Sequence, residues 1–219
     1  MNQAIVFKDQ QDLADLSEFL QRAKRLDERG AVKLRCFGDV LAAYVSPIYS
    51  GSLIAEGPTV LGLRTMQLAK SLELDSTFEI SSLLERMSSP AAMLTASVSI
   101  PPAAIRVAWS GITPPRQGWE HSGEIAQELV SQWAKDGIAE VASALPESVG
   151  SAIAARVRLQ IWGKSVGLEY NLPAATAFAM AGLGFLEKGV PVQVFRTAGW
   201  VRLSSKYGHV LSKESFRIS

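Results

Sequence analysis

The chain has 219 residues, of which 47% are hydrophobic and 20% charged, with 22 Lys and Arg against 21 Asp and Glu for a formal net charge of +1. This is the composition of a globular chain, long enough for one large domain or two small ones, and it excludes an intrinsically disordered one. The single cysteine, Cys36, excludes an intrachain disulfide.

The N-terminal residues lack a basic segment followed by an apolar run, so no signal peptide is expected. The longest apolar run, Leu172 to Leu186, is too short to span a bilayer comfortably. The expectation is a cytoplasmic protein that does not enter a membrane.

Taken in order, Asp9 is a predicted N-cap for a helix whose face carries Leu13, Leu16, Phe19, Leu20, Ala23 and Leu26. Residues 31–37 and 40–46 alternate as two strands around a two-residue Gly38-Asp39 turn. Val32, Leu34 and Cys36 then share one face, which makes Cys36 a small buried hydrophobe. Ser50-Gly51 and Gly57-Pro58 bracket a loop, Val60 to Ala69 is a third strand and Phe78 to Ile80 a fourth. Ser82 with Glu85 forms a capping-box pattern for a short helix through Met87. Between Ser88 and Gly118 the chain is punctuated by Pro90, Pro101, Pro102, Pro114 and Pro115, with short strands predicted at 96–100 and 105–109.

In the second half, Ser122 is a predicted N-cap. Ile125, Leu129, Trp133, Ile138, Val141 and Leu145 continue a helical face up to Pro146, broken in two at Asp136-Gly137. Another helix runs from Ser148 to Trp162. The apolar segment after Pro173, with Pro173 at N1, is a buried central helix. The final stretch reads as a three-stranded antiparallel meander with turns at Ala198-Gly199 and Tyr207-Gly208. One of its faces is apolar (Val194, Val201, Leu203, Val210). The other is expected to carry Arg196, Trp200, Arg202, Lys206 and His209. The fold class is therefore α+β. A helix-plus-antiparallel-sheet half at 1–110 leads through a Pro-rich crossover at 111–121 to a helical half at 122–219 ending in the meander.

Chemistry-bearing motifs are sparse. There is no Gly-x-Gly-x-x-Gly opening a helix, no P-loop and no Cys-x-x-Cys, and His121 and His209 are too far apart in sequence for a standard zinc motif. No catalytic set, metal site or cofactor is predicted. Two places concentrate side chains suited to binding. The first is the loop of Arg116, Trp119 and His121. The second is the meander, with Arg196, Trp200, Arg202, Lys206, Tyr207 and His209. Arginine beside aromatic rings can hold an anion or stack on a base, and Trp, Tyr and Arg also anchor protein interfaces. The bland alternatives are a solvated strand face and a Trp119 that only fills space. The carboxylates Glu120, Glu124 and Glu128 read as first-turn charges on the helix.

The near-neutral total hides an asymmetry. Residues 1–149 hold 13 Lys and Arg against 18 Asp and Glu, and residues 150–219 hold 9 against 3. Opposed halves attract within a chain or between two copies, so the leading expectation is a non-enzymatic binding protein that self-associates. Nucleic-acid binding through the basic and aromatic meander is one alternative. Another is a binder or enzyme for a small anionic ligand, with Arg116 or Arg202 as clamp and His121 or His209 as acid or base.

Several short stretches carry a resemblance: Val60-Leu-Gly-Leu-Arg64, Pro114-Pro-Arg116 with Gly118-Trp119, Ile161-Trp-Gly163, Phe195-Arg-Thr197 with Gly199-Trp200, and Gly208-His-Val-Leu211. In these the chain resembles a group of uncharacterised conserved proteins of actinobacteria. The resemblance spans most of the chain. It implies a bacterial cytoplasmic setting and supplies no activity.

Overall fold

A computed structural model describes residues 3–49, 57–145, 150–167 and 169–213. The predicted features at Ser50-Gly51, Pro146 and Ser148 lie outside the described residues. The chain divides into two compact units, the first of Met1–Pro47 with Leu63–Gly111 and the second of Ile48–Gly62 with Ile112–Ser219. Helices and antiparallel sheet are present in both, which is the α+β class. Among the described residues no helix is long and apolar enough to cross a membrane.

The first unit opens with β1 (Ala4–Val6), α1 (Gln10–Leu26), β2 (Ala31–Phe37) and β3 (Val40–Ile48). It continues with β4 (Val60–Gln67, in this unit from Leu63), β5 (Asp75–Glu79), α2 (Ile80–Met87), α3 (Pro90–Thr95) and β6 (Ser97–Ser99). Its sheet order is β5-β2-β3-β4, and β1 pairs with β6 apart from it. Helix α1 starts where its cap dictates: Asp9 Oδ1 accepts the Asp12 N–H at 3.0 Å, a bond that stabilises a helix start by about 1 kcal/mol. Leu13, Leu16, Phe19, Leu20 and Ala23 form its buried face. Asp15, on the same helix, is ion-paired to Arg64 of β4. Gly38-Asp39 makes the two-residue turn, with Phe37 opposite Val40.

Helix α2 departs from the capping-box expectation. It begins at Ile80, directly after β5, with Glu79 in the cap position and no side-chain cap. The Ile80 N–H donates to the Gly30 carbonyl at 3.1 Å and its side chain is buried, so tertiary packing sets the start. Ser82 falls inside the helix and accepts from Arg86. The strand expected at 105–109 is instead irregular chain ending in a 3-10 turn at Ala108–Gly111, anchored by the buried Trp109.

The second unit contains β7 (Glu120–Ile125), α4 (Gln127–Ala144), α5 (Ser151–Trp162), β8 (Ser165–Val166) and β9 (Leu172–Pro173). After these come α6 (Ala174–Gly182), β10 (Val192–Thr197), β11 (Trp200–Ser205) and β12 (Gly208–Lys213). The last three strands form the expected meander, and β7 lies against β10, giving the order β12-β11-β10-β7. Val192, Val194, Val201, Leu203 and Val210 are buried. A side chain from the segment after α6 presses on that face: a Cβ at Gly208 would sit 2.5 Å from the Phe185 ring. Lys206-Tyr207, not Tyr207-Gly208, forms the second turn, because Ser205 and Gly208 are already paired.

Two helix expectations fail for tertiary reasons. Ser122 caps no helix; residues 120–125 pair antiparallel with β10 and α4 starts at Gln127. Asp136-Gly137 does not break α4, because Gly137 is where the Trp162 ring packs. A Cβ there would lie 2.2 Å from the ring. Helix α6 is shorter than its apolar run, and Pro173 takes the cap position, not N1.

Candidate functional site

The register of the second sheet decides which side chains share a face. Phe195 is opposite both Arg202 and His121, while Gln193 is opposite Ser204 and Glu124 and Ser204 is opposite His209. Side chains alternate across a strand, so Arg202, Phe195, His121, Gln193, Glu124, Ser204 and His209 belong to the face away from Val194 and Leu203. A register shift between Val194 and Phe195 brings His121 opposite Phe195.

Arg202 is the centre of this face. Its guanidinium carbon lies 4.6 Å from the Trp119 ring centroid and 4.4 Å from that of Phe195. Trp119 is fixed in turn by its indole N–H, which donates to the Pro115 carbonyl at 3.0 Å. The His121 ring meets Phe195 edge-on at 5.4 Å. Despite this company the Arg202 Nε is buried and has no hydrogen-bond partner. Arg202 makes no ion pair among the described residues. Burial lowers its pKa from the ordinary value, although an arginine stays protonated across physiological pH.

A polar strip runs beside the stack. Gln193 Nε2 donates to Glu124 Oε2 at 3.1 Å, and Gln193 Oε1 is 2.9 Å from His121 Nε2. With the amide nitrogen committed to Glu124, its oxygen accepts, which places the His121 proton on Nε2. His209 Nδ1 and Ser204 Oγ are hydrogen-bonded at 2.9 Å. Burial first, and the nearby Arg202 charge second, push the His209 pKa down to about 4, so the ring is neutral at pH 7 and a weak base. Ser204 is buried.

The other predicted residues are placed differently. Arg196 is opposite Val201, on the Val194 side of the sheet, and its Nη2 donates to the Tyr170 carbonyl at 2.7 Å. This departs from the expected charged face because residues 194 and 196 have the same parity. Trp200 has the parity of Arg202 and so shares its face, but it is only 7% exposed. Lys206 lies in the turn, 2.6 Å from Glu187 Oε1 and 4.9 Å from the Tyr207 ring, and the Glu187 hydrogen bond raises its pKa. Arg116 is exposed in the loop before Trp119. The structure thus brings Trp119, His121, Trp200, Arg202 and His209 onto one sheet face, with Arg196 on the other, Lys206 and Tyr207 in the turn and Arg116 in the loop.

Phe195, Gln193 and Glu124 were not among the candidate binding residues, although strand alternation alone puts Phe195 on the Gln193 face. Glu124 was not available from alternation, because it was assigned to a helix. Among the described residues no group of three or more His, Cys, Asp and Glu is placed to hold a metal.

The charge asymmetry along the chain resolves inside the fold. The first unit holds 11 Lys and Arg against 11 Asp and Glu, and the second 11 against 10. The acidic stretch after residue 119 and the basic last third lie in the same unit. They meet there, as in the ion pair of Lys164 with Glu140.

Two family models match the chain. One, described as Domain of unknown function (DUF8010), covers residues 1–111, and the other, Domain of unknown function (DUF8185), covers residues 114–217. The gap between them falls where the chain leaves the first unit for the second, at Gly111 and Ile112. No curated protein matches the chain.

Proposed function

The chain belongs to the family described as Domain of unknown function (DUF8010). No activity comes with that membership, and we propose from the site alone that the protein is a non-enzymatic, cytoplasmic binding protein whose second unit holds an anionic group at Arg202. The observation that carries this reading is the cation itself. It is stacked against Trp119 and Phe195, its Nε is buried without an acceptor, and among the described residues it makes no ion pair. An unmet buried donor costs about 1–3 kcal/mol, and a fold that needed only packing there is better served by an apolar residue. Arginine next to aromatic rings, with its N–H edge free, is suited to receiving an anion.

The reading is tested by thermal denaturation of the full chain against a panel of organic and inorganic anions at constant ionic strength. A ligand at 100 times its dissociation constant stabilises by about 2.7 kcal/mol. Wild type should gain stability with some members of the panel, and Arg202→Met should gain none. Equal gains in both proteins would sink the assignment.

A second reading, self-association, is favoured by a separate observation. Helix α5 buries only Ile161 and Trp162, and Ile138 of α4 and Ile153 of α5 are 51% and 62% exposed. Here the partner is a second copy meeting α4 and α5. Light scattering at high concentration tests it: a dimer that Ile153→Glu dissociates supports the reading, and a strict monomer removes it. Nucleic acid fits the face less well, since Lys206 is paired with Glu187 and Arg196 is turned to Tyr170.

A further inference from the structure

We propose that the anion taken by Arg202 is a single carboxylate carried on an apolar or aromatic body, held end-on by the two Nη groups and flanked by Trp119 and Phe195. The inference rests on the anion-binding reading above and narrows it to one ligand chemistry.

Three observations lead to it. The first is the geometry of the donor edge. Nε is buried and unpartnered, so the side-on Nε–Nη2 edge is closed to a ligand. The two Nη groups have no partner among the described residues, and unlike Nε neither is a buried unsatisfied atom. What the guanidinium offers is a pair of parallel N–H donors, which matches the two oxygens of a planar carboxylate.

The second is the local charge. Arg202 supplies the half-buried positive charge of this face; Lys213 shares its parity but is exposed at the end of β12. Lys206 is neutralised by Glu187, Arg196 is committed to the Tyr170 carbonyl, and His209 is neutral at pH 7. On the same face stands the Glu124 carboxylate, hydrogen-bonded through Gln193. A monoanion is matched one to one. A phosphate dianion meets one half-buried cation with a carboxylate nearby, and a nucleic-acid backbone meets the same deficit repeatedly.

The third is the wall of the site. Trp119 and Phe195 are both half-buried and so still present ring surface, and His121 extends the edge of Phe195. That surface has nothing to offer an inorganic anion. It can cover the apolar body of an organic acid, which adds affinity in proportion to the area removed from water. Two sources share this chemistry, a free small acid and the carboxylate end of a peptide.

The test is a set of titrations of the full chain, followed by the Trp119 indole and arginine side-chain N–H resonances at matched ionic strength. The probes are phenylacetate, the tripeptide acetyl-Ala-Ala-Phe (charged only at its C-terminus), inorganic phosphate and a thymidine oligonucleotide. The expected result is saturable binding of at least one carboxylate, at least ten-fold tighter than phosphate or oligonucleotide. Tighter binding of the tripeptide identifies a chain end as the source, and tighter phenylacetate a small acid. Arg202→Met should abolish the carboxylate response. Arg202→Lys, which keeps the charge but not the paired donors, should weaken it at least five-fold. Phosphate or oligonucleotide binding as tightly as the carboxylates overturns this inference and leaves the anion site standing. A Trp119 resonance that no probe moves overturns both. Carboxylate binding that survives Arg202→Met moves the site elsewhere and also overturns the inference.

Discussion

Replacing Arg202 with methionine separates a binding residue from a structural brace without any ligand in hand. The arginine incurs the cost of one buried Nε without an acceptor, about 1–3 kcal/mol. Against this stand two cation–π contacts, with Trp119 and Phe195, each contributing about 0.5–1 kcal/mol at a half-exposed site. Methionine keeps an unbranched stem of similar reach and brings sulfur–aromatic contacts of about 0.3–1.5 kcal/mol to the same rings. The two sides nearly cancel for arginine and are favourable for methionine. Arg202→Met is therefore expected to be neutral or to stabilise the protein by up to about 1 kcal/mol, a rise of a few degrees in melting temperature. Urea denaturation at pH 7 reads this directly, with an unchanged slope showing that the compactness of both states is preserved. A loss of more than about 1 kcal/mol would refute the reasoning. The arginine would then be holding Trp119 against the sheet, and its unmet charge would say nothing about a ligand.

Further outcomes follow from other contacts. His209 has its pKa lowered from the ordinary 6.5 to about 4, so the folded chain refuses a proton that the unfolded chain accepts. Stability should fall from pH 6.5 down to about 4, by on the order of 2–3 kcal/mol, and level off below; His209→Gln should remove that slope, and an imidazole titrating near 6.5 in the folded protein would contradict it. Because Arg202 is the second cause of that shift, Arg202→Met should move the His209 pKa upward by a fraction of the total, measurable by proton NMR. Gly137→Ala gains about 1 kcal/mol of helix propensity but sets a Cβ 2.2 Å from the buried Trp162 ring, which also packs on Phe178 at 4.5 Å. Overpacking of that severity costs about 1–3 kcal/mol or more, so a net loss of about 1–2 kcal/mol is expected in thermal melts, and an alanine variant as stable as wild type would show that the ring moves freely. Asp15→Asn removes a half-buried partner of Arg64 and should cost about 1–2 kcal/mol in urea titrations, more than an exposed ion pair yields.

What the sequence disclosed depended on how local the controlling interaction was. Helix α1 was legible because its cap, Asp9, and its buried face lie within one stretch of chain. The meander was legible because each hairpin is closed by its own two-residue turn and pairs neighbours in sequence. Where a distant element decides, local signals misled. Ser82 and Glu85 carry the letters of a capping box, yet a backbone bond from Ile80 to Gly30 starts the helix earlier. Asp136-Gly137 reads as a break until Trp162 is seen packing on the missing Cβ. The asymmetry of charge along the chain was real, but its meaning was not legible, because chain order separates residues that the second unit brings together.

The misread strand is the one on which the site depends. Glu120 to Ile125 has no apolar alternation to mark it as β, and Ser122 before Glu124 imitates a helix start. Its only reason to be extended is the pairing with β10, about seventy residues on, and long-range pairing leaves no mark on local composition. Yet that pairing carries Trp119 and His121 to Arg202 and Phe195, and sets Glu124 beside Gln193. Trp119 and His121 of one candidate and Arg202 of the other, separate in the sequence, are therefore joined in one candidate site by a strand that neither predicted. It follows that β7 can be tested as part of the site. Gly123 is opposite Val194 and a Cβ there would sit 2.3 Å from the Tyr170 hydroxyl. Gly123→Val should loosen β7 from β10 and carry Trp119 away from Arg202. In that variant Trp119 fluorescence should shift and the anion response should weaken, even though Arg202 and the whole meander are untouched. An unaltered anion response in a protein whose β7 amides exchange rapidly with solvent would show that Arg202 binds without Trp119, and that the two candidates are separate after all.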